Sequence, residues 1–166
     1  MNEPEITPTP ATNVPDSAGR LLALDLGARR VGVAVSDELR ITVNPLPTIE
    51  RRSWKDLLRR VASVIESYDA RGLVIGLPLS LSGAEGSAAQ EARATAEKFQ
   101  RSLRVPVYLQ DERLTTFAAT AELRGAGRSR QEIAAQVDSE AAKVILRDFI
   151  AQDSHHNLRT QMPGVD

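Results

Sequence analysis

The chain has 166 residues, 42% of them hydrophobic and 26% charged, with a net charge of −1, the figures of one soluble globular domain with room for tails. It contains no cysteine, which excludes a disulfide framework, a thiolate zinc site, an iron–sulfur cluster and a cysteine nucleophile. The two histidines, His155 and His156, stand together in a polar stretch near the C-terminus, so any chemistry falls to carboxylates, lysines, hydroxyls or a hard metal ion.

Residues 1–19 hold four of the nine prolines, Pro4, Pro8, Pro10 and Pro15. They have neither the basic start nor the apolar run of a signal peptide, and they read as a disordered tail. Residues 20–151 form the folded unit. Arg20–Gly27 opens it as an almost wholly apolar run, the pattern of a strand buried on both faces. After a turn at Gly27–Arg30, Val31–Asp37 reads as a second strand, antiparallel to the first because the loop is short. Arg40–Ile49, interrupted by Pro45 and Pro47, is a weaker third strand at an edge, where missing donors are tolerated.

Ser53 then starts a helix with Trp54, Leu57, Leu58, Val61, Ile65 and Tyr68 at helical spacing. Gly72–Pro78 is a fourth, buried strand. A Gly/Ser-rich loop leads into a helix over Ala88–Leu103, and Val105–Leu109 is a fifth strand, followed by Gln110-Asp111-Glu112-Arg113. One helix is expected near Thr116–Arg124 and a last one over about Asp138–Ala151. Residues 152–166 read as a flexible C-terminal tail. No apolar stretch approaches the ~18 residues needed to cross a bilayer, so a cytoplasmic protein with no membrane partner is expected.

The order β-β-β-α-β-α-β-α-α implies an antiparallel meander extended by two right-handed crossovers. The fold class is therefore α/β, ribonuclease-H-like, with a mixed five-stranded sheet flanked by helices on both faces.

Acidic residues within or just after buried strands carry the functional signal, because a buried charge is costly unless something pairs with it. Asp25 lies inside an apolar strand, two residues before Gly27, where a backbone or a phosphate can approach closely. Its plainer role would be to cap the Gly27 turn or to pair with Arg29 or Arg30. Asp111 and Glu112 end the fifth strand, parallel to the first, so they share the strand-end edge with Asp25. Alternation sends the two to opposite faces and lets only one join a site there. Asp138, ahead of Ser139-Glu140-Ala141-Ala142, reads either as a helix N-cap or as a third carboxylate at that edge. Three carboxylates without histidine or thiol make a hard-oxygen set suited to Mg²⁺ or Mn²⁺. Of the basic residues only Lys55, Lys98 and Lys143 are lysines. The arginine excess fits either codon bias or bidentate phosphate recognition.

Leu24-Asp25-Leu26-Gly27, Arg30–Asp37, Gly76-Leu77-Pro78, Asp111-Glu112-Arg113-Leu114-Thr115-Thr116 and Val137–Ala142 together resemble the blocks of the YqgF/RuvX family, bacterial proteins described as Holliday-junction resolvases and as nucleases maturing the 5′ end of pre-16S rRNA. The resemblance implies a ribonuclease-H-like fold and metal-assisted phosphodiester hydrolysis. It carries the catalytic and metal-binding roles onto Asp25, Glu112 and Asp138, phosphate-side roles onto Arg30 and Arg113, and a supporting role onto Thr116 beside Gly27 and Asp111. Arg29, Arg124, Arg128 and Arg130 extend the expected nucleic-acid contact, and a homodimer is expected if branched DNA is the substrate. The fourth strand ends in Gly76-Leu77-Pro78, where the RuvC-type resolvases carry an acid. That difference keeps a non-catalytic nucleic-acid-binding module as the alternative. A phosphotransferase with an Asp-x-Gly phosphate loop would need two such domains, and this chain has room for one.

Overall fold

The computed structural model describes residues 19–80, 82–112 and 130–160, with side chains in the last stretch over 137–153. Strands β1 (Leu21–Leu26), β2 (Arg30–Ser36), β3 (Val43–Glu50), β4 (Gly72–Leu77) and β5 (Val107–Asp111) form one sheet in the order β3-β2-β1-β4-β5. The pairs β1–β2 and β2–β3 are antiparallel, whereas β4 runs parallel to β1 and β5 parallel to β4. Helix α1 (Trp54–Tyr68) connects β3 to β4, and α2 (Ser87–Ser102) connects β4 to β5. A long helix, α3 (Arg130–Thr160), ends the described chain. This is the expected mixed sheet, with β3 at an edge.

Strand alternation divides the core into two layers. Leu22, Leu24, Val31, Val33, Leu73 and Ile75 pack against Leu57 and Val61 of α1 and Phe99 of α2. Leu21, Ala23, Ala34 and Val74 face the other way and pack against Ala142, Ile145 and Leu146 of α3. Because β1 and β4 are covered on both faces, they read as continuous apolar runs rather than alternating ones. Ser53 caps α1 by accepting from the Asp56 amide at 3.1 Å, the interaction expected of a serine just before an apolar periodic segment.

Several boundaries differ from the sequence reading. β3 begins at Val43 rather than Arg40, because Asp37 builds the turn before it: its Oδ1 accepts from the amides of Ile41 (2.7 Å) and Thr42 (3.0 Å), and Arg40 adopts φ 57°. β5 starts after Pro106, which has no amide to donate and instead accepts from Leu73 N at 2.9 Å. The strand therefore reaches Asp111. α3 starts at Arg130 and runs through the first part of the stretch read as a C-terminal tail. No glycine or proline interrupts residues 130–160, so a helix nucleated against the sheet meets no breaker before Pro163. Asp138 thus lies within the helix and is not its N-cap. The helix expected near Thr116–Arg124 lies outside the described residues.

Candidate active site

The site is built on one row of residues across the sheet. Asp25 of β1 pairs with Gly32 of β2. On its other side, the pairing of Leu24 with Ile75 sets Asp25 beside Gly76 of β4, and Gly76 pairs with Gln110 of β5. Asp25 shares the parity of Leu21 and Ala23, so its side chain is on the α3 face. Both of its neighbours in the row lack side chains. A Cβ on Gly32 would stand 1.8 Å from the carbonyl oxygen of Asp138. The backbone of α3 therefore rests directly on β2 at this point, and Asp138 comes to the edge of the site. Ser139, the next residue, donates its hydroxyl to Leu46 O at 2.7 Å and fastens the same turn of α3 to β3.

Glu112 reaches Asp25 from the end of β5, and the two carboxyl groups share a hydrogen bond. Burial pushes Asp25 up to about 6, reinforced by the charge of Asp138 and opposed by the bond from Glu112. Burial pushes Glu112 up to about 8, with the charge of Asp25, the hydrogen bond to it and the charge of Asp111 adding to the rise. Both carboxyl groups are thus held above the ordinary carboxylate range, Glu112 further than Asp25, and the two titrate as a pair. Asp138 is also raised by burial, and Arg30 pulls it back through an ion pair with Nε 3.3 Å from Oδ2. Asp111, paired with Leu77 in the sheet, alternates to the other face, and its charge adds to the rise of Glu112.

The model of the family described as RuvX, Holliday junction resolvase, matches residues 19–152. The chain belongs to the RuvX family. A relative from Anaeromyxobacter sp. bearing the name "Putative pre-16S rRNA nuclease" is 42% identical over 137 residues, covering 82% of this chain and 98% of its own length. One of the same name from Myxococcus xanthus is 40% identical over 136 residues, 82% of this chain and 89% of its own. Among solved structures, T. thermophilus RuvC in complex with a Holliday junction substrate superposes with a TM-score of 0.52 at 14% identity, over 82% of this chain and 96% of that one. That likeness establishes the shared ribonuclease-H-like fold.

Within the RuvX chain, then, the structure brings Asp25 and Glu112 into contact and sets Asp138 at Coulombic range. Gly27 closes the β1–β2 turn: its amide donates to Asp25 O (3.1 Å) and Arg30 O (3.0 Å), and its carbonyl accepts from Arg51 Nη1 at 2.9 Å. The turn is held by backbone, so Asp25 does not cap it, and Arg30 pairs with Asp138 instead. Arg29 is exposed at the tip of the turn. Arg113, Thr116, Arg124 and Arg128 lie outside the described residues, and Arg130 opens α3 with its side chain outside them. Three residues of the site had no role assigned from sequence: Gly32, Gly76 and Arg51. The glycines carried a signal, since glycine inside a strand marks a close approach of another group. Arg51 carried none.

The donor set suits a hard cation in part. Asp25 and Glu112 are oxygen donors in contact at a strand-end edge, where the charge of Asp25 opposes ionisation of Glu112, a penalty that a divalent ion would relieve. As placed, however, no three acidic side chains among the described residues form a metal-holding group, and Asp138 is engaged by Arg30. No helix among the described residues is long and apolar enough to cross a membrane.

Proposed function

We propose that this RuvX chain is a metal-dependent endonuclease of the cytoplasm that hydrolyses phosphodiester bonds of structured nucleic acid, with the 5′ end of pre-16S rRNA the leading substrate and branched DNA the other. The observation that carries this reading is the Asp25–Glu112 carboxyl pair at the carboxyl ends of parallel strands, with Asp138 beside it. Asp25 and Glu112 would hold Mg²⁺ or Mn²⁺, and Asp138 would join once released from Arg30. A divalent ion held there supplies a nucleophilic water at neutral pH and stabilises negative charge on phosphate oxygens. The chain's own residues do the rest. Asp25 and Glu112 present their carboxyl oxygens together, Gly27, where a Cβ would meet the Arg30 carbonyl, lets the β1–β2 turn close, and Arg29 and Arg30 neutralise phosphates at the rim. Arg51 holds the turn that carries both arginines. A junction substrate would require two sites and hence a homodimer; trimming of rRNA would not.

One observation favours the alternative of a non-catalytic nucleic-acid-binding module: Asp138 is held by Arg30, which leaves a pair of acids rather than a triad. Cleavage of a four-way junction and a pre-16S leader, run in parallel with Mg²⁺ and Mn²⁺, separates the readings. Metal-dependent cleavage that disappears in Asp25→Asn supports the nuclease. Tight binding of either substrate without cleavage by the wild-type chain supports the module.

A further inference from the structure

Gly76 stands in the interior of the sheet on the α3 face, in the strand between β1 and β5. Its backbone is ordinary strand and its φ is not positive, so no dihedral requirement calls for glycine. A glycine in a strand interior weakens the strand and gives nothing to pack. Space explains it. A Cβ built on Gly76 would lie 2.4 Å from Glu112 Oε2, 3.0 Å from Glu112 Cδ and 2.6 Å from Ile145 Cδ1.

Neighbouring strands are roughly 4.8 Å apart, so the ends of β1 and β5 are separated by roughly twice that distance with β4 between them. To touch Asp25, the Glu112 side chain has to pass over β4. It passes at Gly76, the one point of that row where β4 offers no side chain on this face. We propose that Gly76 is a positioning residue for the site: by lacking a side chain it forms the seat over β4 in which the Glu112 carboxyl lies against Asp25. Gly32 is its counterpart on β2, admitting the α3 backbone that carries Asp138. The acid that β4 does not itself supply is delivered from β5 across Gly76. This inference rests on the reading of Asp25 and Glu112 as a cation-holding pair.

The atoms that a Cβ at position 76 meets are the tips of two side chains, so Gly76→Ala folds by moving them. The test measures Mn²⁺ binding by calorimetry, together with thermal unfolding, for the full chain and for Gly76→Ala, Glu112→Gln and the double variant. Displacement of a positioned ligand is expected to weaken Mn²⁺ binding about 10- to 100-fold in Gly76→Ala. The double variant should bind no more weakly than Glu112→Gln alone, because both changes remove the same interaction. Unchanged affinity in Gly76→Ala, or losses that add in the double variant, overturns the proposal. A third variant, Gly76→Ala with Ile145→Val, relieves the contact with Ile145 while keeping the one with Glu112. It should recover thermal stability without recovering Mn²⁺ affinity, and recovery of affinity would assign the effect to core packing and overturn the proposal. Asp25→Asn is the separate control: if it binds Mn²⁺ as the wild type does, the reading of the acid pair fails rather than the role of Gly76.

Discussion

Replacing Asp25 with asparagine should make the metal-free protein more stable while destroying the function proposed for it. The carboxyl is raised from 3.8 to about 6, chiefly by burial, so ionising it opposes folding. A raised acid favours the folded state fully only below its unfolded value near 3.8. That contribution is lost as pH climbs through about 6 and is constant above. The rise corresponds to roughly 3 kcal/mol at full ionisation. Asparagine keeps the shape, carries no charge and can still pair with Glu112. Chemical unfolding in the presence of a chelator, followed at pH 4, 6 and 8, should therefore show little difference at pH 4 and a gain for Asp25→Asn of about 2–3 kcal/mol at pH 8. For a chain of this size that is roughly 5–10 °C in Tm. If the two stability profiles run parallel from pH 4 to 8, the Asp25 charge is not buried at a cost, and the acid pair is not the site.

Glu112→Gln should give a gain that keeps growing to pH 9, after that of Asp25→Asn has levelled, because Glu112 is raised to about 8; equal curves in the same unfolding series would contradict the greater rise of Glu112. Replacing Arg29 and Arg30 together with alanine should flatten the dependence of log K on log[salt] for duplex binding by nearly two, from ~0.9 per phosphate contact, as read by fluorescence anisotropy; an unchanged slope would put the nucleic acid on another face. Ser139→Ala removes the 2.7 Å bond from a buried hydroxyl to Leu46 O and should cost about 1 kcal/mol in urea unfolding. No loss there would show that this bond does not hold α3 to β3.

Much of the frame is legible locally. β1 and β4 announce themselves as apolar runs because both of their faces are covered, and the two prolines of β3 mark an edge. Asp25 is visible because a charge in such a run has no ordinary explanation. The misplaced boundaries share a cause: at each, an interaction not encoded by periodicity decides. Asp37 ties up the amides of Ile41 and Thr42 before β3 can begin, and Pro106 withholds a donor from β5. Asp138-Ser139-Glu140 looks like a helix start because an acid followed by good helix formers is a capping pattern. Yet Ser139 spends its hydroxyl on Leu46, distant in the chain, and residues 130–137 are themselves good helix formers. Gly32 and Gly76 were readable as close approaches, but what approaches them comes from α3 and the end of β5, which only the tertiary fold supplies.

The proton between the two acids has a consequence for the cation. A carboxylic acid is a donor and a poor ligand, so Glu112 has to lose its proton before it can coordinate. At pH 7, below the value of about 8 to which Glu112 is raised, the pair still holds a proton that the cation has to displace. Binding of Mg²⁺ or Mn²⁺ should therefore release close to one proton per site at pH 7 and fewer as pH rises past 8. Log affinity should climb with pH at a slope near one below pH 8 and flatten above it. The two acids titrate as a pair, so both features belong to the pair, and Glu112→Gln should remove them together. Calorimetry at one pH in buffers of different ionisation enthalpy reads the released proton directly. An affinity flat from pH 6 to 9, with no buffer dependence, would mean that the cation is held without Glu112, and the crossing of β4 at Gly76 would then have no part in binding it.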